Sequence, residues 1–221
     1  TSPFEKLSAM YGAGNAPTLA MIDPTDVPKF ADKFKDMSDA KWVADAAEGT
    51  LDTSTIDGNV KSFPLTIEGF GYIYNKAVLD KAGVDPKAIH TQAELEEAFQ
   101  KVEASGAKPL VVAPLDWSLA GHFLALGYST QSTDWAEVLK FFDDLRMGNV
   151  DLAENKQFNG IMDTFDLMKK YNAEQNDPLA VTYEKGPEML GKSEVGFWFM
   201  GNWAWPLIAE FDESNSDYGF I

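Results

Sequence analysis

The order of apolar and polar positions predicts short strands alternating with amphipathic helices. Residues 195–200 form a nearly continuous apolar run between turn residues, the pattern of a strand buried on both faces. Gly201 breaks the run, and Asn202 is placed to cap a helix whose first turn carries Trp203, Ala204, Trp205 and Pro206. Residues 109–113 read as a second buried strand. Pro114, Leu115, Asp116, Trp117 and Ser118 follow at its C-terminal end, and a helix carries on through Gly121, His122 and Phe123. Strand, turn, Trp, helix thus occurs twice.

The rest of the chain fits between these two units. Residues 4–11 look like the tail of an amphipathic helix stopped by Gly12 and Gly14, and residues 18–22 like a short buried strand. Phe30, Phe34 and Met37 mark a helix face at i, i+4, i+7. Residues 38–62 are polar and turn-rich, with Asp57-Gly58-Asn59 a tight turn. Residues 63–75 are extended, rich in aromatic and β-branched side chains, and interrupted by Gly69 and Gly71. Asn75 then caps a helix over 76–82 that ends at Gly83. Thr91 and Glu94 form a capping box ahead of Leu95, Ala98, Phe99 and Val102, a helix closed by Gly106. Trp135, Val138, Leu139, Phe142 and Leu145 make one helix face; Phe158, Ile161, Met162, Phe165, Met168 and Tyr171 make another. Both stripes read as core. Residues 186–192 form a short helix, and residues 217–221 the start of a strand.

Composition narrows the function classes. The 221 residues hold one large domain or two small ones, and 45% apolar content with 13% aromatics makes the chain globular. A net charge of −17 argues against nucleic acid and anionic membranes, which call for clustered Lys and Arg. The absence of Cys excludes disulfides, thiol nucleophiles and Cys-ligated zinc, and two His cannot supply a multi-His metal site. There is no apolar run long enough to span a bilayer. The opening residues Thr1, Ser2, Pro3 and Phe4 do not form a signal peptide, so any leader or lipid anchor is expected upstream. Phosphate-loop, His-Glu-x-x-His, Gly-x-Ser-x-Gly and EF-hand patterns are all missing, and no cofactor is implied.

The candidate chemistry is aromatic and acidic. Strand ends of an α/β sheet are where ligand clefts open, and both carry a Trp there. Each indole is either core or a flat apolar platform. Asp23, after the strand at 18–22, is a turn or cap residue or a cleft-edge acceptor. Glu68, beside Ile67 and two glycines, either forms an internal ion pair or faces a ligand. His122 is a satisfied, partly buried side chain or a member of the binding face.

Four segments carry a resemblance. Asn15-Ala16-Pro17-Thr18-Leu19 is similar to a strand entry in which Thr18 stands where Asp is usual. Asp57-Gly58-Asn59 followed by Phe63-Pro64-Leu65-Thr66-Ile67-Glu68 resembles a crossing strand. Ile73-Tyr74-Asn75-Lys76 with Lys81-Ala82-Gly83-Val84 matches a helix entry and exit. Phe199-Met200-Gly201-Asn202-Trp203-Ala204-Trp205 resembles a Gly-x-Trp-Ala-Trp segment, with Asn202 in place of Pro. In this order they resemble the maltose-binding-protein-like branch of the bacterial extracellular solute-binding proteins of ABC sugar importers.

That resemblance implies a type II periplasmic-binding-protein-like α/β fold with two lobes. It places a partial first lobe at residues 1–65, a hinge at 66–69, and a second lobe at 70–221 whose C-terminal part is missing. It implies a sugar or oligosaccharide bound between the lobes, permease subunits of an ABC transporter as partners, a monomer, and an extracytoplasmic location, periplasmic or lipid-anchored. Carried over by position, Trp203 is a stacking indole, Glu68 a sugar-contacting carboxylate, and Asp116 and Trp117 lie in a contact loop. Asn202, Asp23 and His122 complete the expected ligand-binding set. Trp covers apolar C–H faces of a sugar while Asp, Glu and Asn serve its hydroxyls. Two rivals stay open: a solute-binding protein for a peptide or polyamine, through cation–π contact, and a glycoside-active enzyme.

Overall fold

The computed structural model describes residues 2–213 and 217–221. Thr1, at the head of the opening stretch, lies outside the described residues. The chain divides into two compact units, Thr1–Ile67 and Glu68–Ile221.

The first unit is small and mostly irregular. Helix α1 (Pro3–Gly12) opens on a capping box in which Ser2 and Glu5 satisfy one another's backbone N–H. Residues 18–22 do not form a buried strand: Leu19 and Met21 are exposed, and no strand among the described residues pairs with the segment. An apolar run becomes a strand only where a ladder partner takes up its N–H and C=O groups. Phe30 and Phe34 do not share an α-helix either. Pro24–Phe30 is a 3-10 turn capped by Asp23, and Pro28 inside it has no N–H to continue an α-helical ladder. Phe30 instead anchors an aromatic group with Phe4, Tyr11 and Phe34 at centroid distances of 5.5, 5.7 and 5.9 Å. The short strands β1 (Thr55–Ile56) and β2 (Asn59–Val60) pair antiparallel across the tight turn expected at Asp57-Gly58-Asn59, where the φ angles of Asp57 and Gly58 are positive.

The second unit is built on a four-stranded sheet. In chain order it comprises β3 (Phe70–Asn75), α2 (Lys76–Ala82), α3 (Gln92–Ala104), β4 (Lys108–Val111) and a π-helical segment, Asp116–Leu124. Then come α4 (Ala125–Ser129), α5 (Trp135–Arg146), α6 (Lys156–Tyr171), α7 (Lys185–Gly191), β5 (Val195–Gly201), α8 (Trp205–Ala209) and β6 (Tyr218–Phe220). The strand order is β4-β5-β3-β6; β4 and β5 run parallel, while β3 is antiparallel to both its neighbours. Every residue of β5 is buried, as its unbroken apolar run predicts for a central strand.

The period-two alternation of strand side chains divides the core between two faces. Phe197 and Phe199 point with Leu110 into a cluster with Leu79, Phe99, Val102 and Met168. Trp198 and Met200 point with Val111 to the opposite side, among Ile73, Leu190, Ala204 and Ile208. Burying each such large apolar side chain contributes about 1.5–3 kcal/mol. Asn75 joins the two layers. Its Oδ1 accepts the Val78 N–H as the α2 cap, and its Nδ2 donates to the Leu190 carbonyl and the Ser193 hydroxyl. Asn172 does similar service at the edge of the sheet, where its Oδ1 accepts the Val112 N–H while the Ala173 N–H donates to the Leu110 carbonyl. That edge is thereby covered.

The stripe on α5 departs from its core reading. Val138 is buried, but Trp135, Leu139 and Phe142 are 60%, 48% and 39% exposed, and Phe165 on α6 is 38% exposed. Helix α5 packs chiefly against α4, so one side of its apolar stripe is covered and the rest is not.

Candidate aromatic ligand-binding face

The C-terminal ends of the parallel strands β4 and β5 bring the two Trp-bearing turns together. From β4 the chain runs through Pro114 and Leu115 into the π-helical segment, which begins with Asp116 and Trp117 and carries His122 one wide turn later. The Trp117 N–H donates to its neighbour Asp116 Oδ1 at 2.7 Å, fixing the start of the segment. From β5 the chain enters a 3-10 turn, Asn202–Ala204, and only then α8. Asn202 does not cap this helix. Its side chain accepts the Gly69 N–H at 3.2 Å, and its own N–H donates to the Gly69 carbonyl at 2.9 Å. These two bonds extend the β3–β5 ladder beyond the Phe70–Gly201 pair.

Gly201 is what lets Trp203 fold back. A Cβ at position 201 would lie 1.9–2.2 Å from three atoms of the Trp203 six-membered ring, so the indole rests where any side chain would be. The ring centroids of Trp117 and Trp203 are 6.5 Å apart at an interplanar angle of 52°. His122 stacks on Phe70 at 4.8 Å and 14°, and meets Trp117 at 5.5 Å and Trp203 at 5.2 Å, both steeply. Tyr183 packs against Trp117 at 5.7 Å. Trp117 is 41% exposed, Trp203 and His122 are partly buried, and Asp116, Glu68 and Asn202 are exposed beside them. Trp198 takes the core alternative and is fully buried, while Trp205 is half exposed and packs against Tyr218 at 5.1 Å.

The electrostatics are mild. Burial pushes the His122 imidazole below the usual histidine range, and the negative charge of Glu68 opposes that shift. Burial raises the Tyr183 phenol, with the Trp203 indole in hydrogen-bonding reach working against it. The face thus combines partly exposed aromatic rings with exposed carboxylate and amide groups. Two surface depressions, about 350 Å³ between α3 and α6 and about 430 Å³ at the end of α2, share no lining residue with it. The ring group forms an open face.

Of the seven expected residues, the structure brings Trp117, Trp203 and His122 into mutual ring contact. It sets Asp116, Asn202 and Glu68 at their margin. Asp23 belongs to the other unit, where its carboxylate accepts the backbone N–H and the hydroxyl of Thr25 as a cap. Phe70 and Tyr183 join the face without having been anticipated. Phe70 stands two residues past Glu68 in a strand already recognised, whereas Tyr183 precedes α7 with no pattern around it that marks a site.

Solved structures share this architecture. RafE from Streptococcus pneumoniae, in complex with raffinose, is 20% identical with a TM-score of 0.79, the match covering 98% of this chain and 56% of that one. A sugar transporter from Bacillus licheniformis in complex with stachyose is 21% identical, with a TM-score of 0.67 and the same coverage. A chitin oligosaccharide binding protein is 21% identical, with a TM-score of 0.70, covering 99% of this chain and 55% of that one. An uncharacterised ABC transporter extracellular-binding protein of Pyrococcus horikoshii is 25% identical over 150 residues, 67% of this chain and 32% of its own. The chain thus spans about half the length of the solved proteins it resembles and a third of that sequence relative. Residues 3–221 match the family described as bacterial extracellular solute-binding protein, and the chain belongs to that family.

Proposed function

We propose that this chain is part of a protein that binds a sugar or oligosaccharide and delivers it to an ABC importer. The contact between Trp117 and Trp203 carries the reading. Two indoles from separate strand ends form an angled, partly exposed apolar surface with carboxylate and amide groups at its rim. A pyranose has that same division into apolar C–H faces and a hydroxyl rim. The raffinose and stachyose complexes of similar fold support it. In this reading Trp117 and Trp203 stack on sugar rings, and Glu68, Asp116 and Asn202 take hydroxyl hydrogens. Binding rather than catalysis is the role, since the family and its neighbours are binding proteins.

The same reading makes residues 66–69 a hinge between a first lobe at 1–65 and a second at 70–221, which the division of contacts at Ile67 and Glu68 supports. It also gives the protein an extracytoplasmic location, a permease as partner, and a monomeric state. Among the described residues no helix is long and apolar enough to cross a membrane. Thermal-shift measurements against raffinose, stachyose, chitin oligosaccharides, oligopeptides and polyamines test the ligand class. Sugars alone are expected to raise Tm. Stabilisation by a peptide or polyamine but by no sugar would overturn the reading, and release of reducing ends on incubation would make the protein an enzyme.

A further inference from the structure

One ring of this face has a chemistry that sugar stacking leaves unused. His122 is partly buried, lies flat on Phe70, and touches both indoles at steep angles of 75° and 62°. Three elements meet on it: β3 through Phe70, the π-helical segment through Trp117, and the turn after β5 through Trp203. A ring backed by one aromatic and leaned on by two others fixes the angle between those two, because each edge-to-face contact is set against it. The 52° opening between Trp117 and Trp203 is therefore framed by the imidazole.

We propose that His122 is the positioning residue of the indole pair, and that protonating its imidazole loosens the pair and weakens sugar binding. This rests on the sugar reading above. A neutral imidazole stacks on Phe70 as any small aromatic does. An imidazolium seeks water and a carboxylate. An aromatic neighbour that turns its π face to the ring favours the charge; burial disfavours it and lowers the proton affinity of the ring. The charged group that acts on it is Glu68, on the segment entering β3. Asp116, on its own segment, already accepts the Trp117 N–H. Tyr183, ahead of α7, has its phenol raised and stays neutral. An imidazolium turning toward Glu68 would leave the stack and also compete with the sugar for that carboxylate. Both effects have the same sign.

The chain contains only two His, so the assignment is clean. Tryptophan emission of the ligand-free chain is followed from pH 7.5 to 5. The expected result is one transition with a midpoint below about 6.5, the usual histidine value, kept in His90→Gln and absent in His122→Phe. Raffinose affinity is then measured at both pH values. It should fall about tenfold at pH 5 in the unaltered chain, the equivalent of one lost aromatic contact. His122→Phe should lose the pH dependence, while His122→Ala binds weakly at both. A His122→Phe chain as pH-dependent as the original, or a His122→Ala chain that binds as well, overturns the proposal with sugar binding intact. If no sugar binds but the emission transition vanishes in His122→Phe, the ring geometry holds and the ligand reading fails. No emission transition at all would remove the imidazole from any such role.

Discussion

Gly69 and Asn202 hold each other by two hydrogen bonds: the Gly69 N–H donates to the Asn202 side-chain oxygen, and the Asn202 N–H donates to the Gly69 carbonyl. An asparagine positioned to cap a helix instead ties the turn after β5 to the residue between Glu68 and Phe70. Removing the side chain in Asn202→Ala leaves one bond of the pair, and should cost roughly 0.5–1.5 kcal/mol. Asn202→Asp, which keeps the acceptor, should recover most of it. Urea unfolding of the three chains, read as a shift in midpoint at constant slope, checks this.

Gly201 tests how the platform is built. With the Trp203 ring about 2 Å from where a Cβ would be, Gly201→Ala must displace either the indole or the strand end. The expected cost is about 1–3 kcal/mol, the usual range for overpacking. The Trp203 emission should move and sugar affinity should drop together with it. An unaltered emission spectrum would mean that the indole does not lie over this glycine.

Tyr72 gives a prediction in the opposite direction. It packs edge-on against Phe99, Phe197 and Phe199, and its hydroxyl is buried with no hydrogen-bond partner among the described residues. Burial alone drives its phenol far above the usual tyrosine range. Tyr72→Phe deletes a buried polar group and nothing that binds it, so it should be neutral or stabilising by up to about 1 kcal/mol. A clear loss of Tm would point to a partner for that hydroxyl.

Strongly patterned elements were legible because each local signal agreed with its tertiary setting. The Thr91–Glu94 capping box, the Asn75 cap and the unbroken apolar run of β5 each have one physical reading, and each formed. Residues 18–22 misled because an apolar run records burial propensity without supplying a ladder partner. Phe30 and Phe34 misled because Phe30 closes a 3-10 turn and the chain beyond it, through Met37, forms turns and irregular backbone rather than an α-helix. The indoles were legible as a pair of strand ends, yet their contact was not, since it depends on β4 and β5 being adjacent and parallel. Phe70 and Tyr183 gave no warning: an aromatic in a strand and another in a loop look the same whether they line a face or fill a core.

Acidification should destabilise the chain through His122. Its proton affinity is lowered on folding, so between its folded value and the unfolded one near 6.5 the unfolded state binds the extra proton. Stability contributed by the neutral ring is complete above that range and is lost as pH falls through it. Tm measured from pH 7.5 to 5 should decline in the unaltered chain more than in His122→Phe. Equal slopes would show that this imidazole does not report its burial to the fold.

The central claim is tested most directly by titrating the unaltered chain, Trp117→Ala and Trp203→Ala with raffinose, stachyose and chitin oligosaccharides, under conditions where circular dichroism shows all three folded. At least one sugar should bind the unaltered chain, and each substitution should weaken it about tenfold or more, as loss of a stacked aromatic does. Sugar binding that survives both substitutions undiminished would contradict the account.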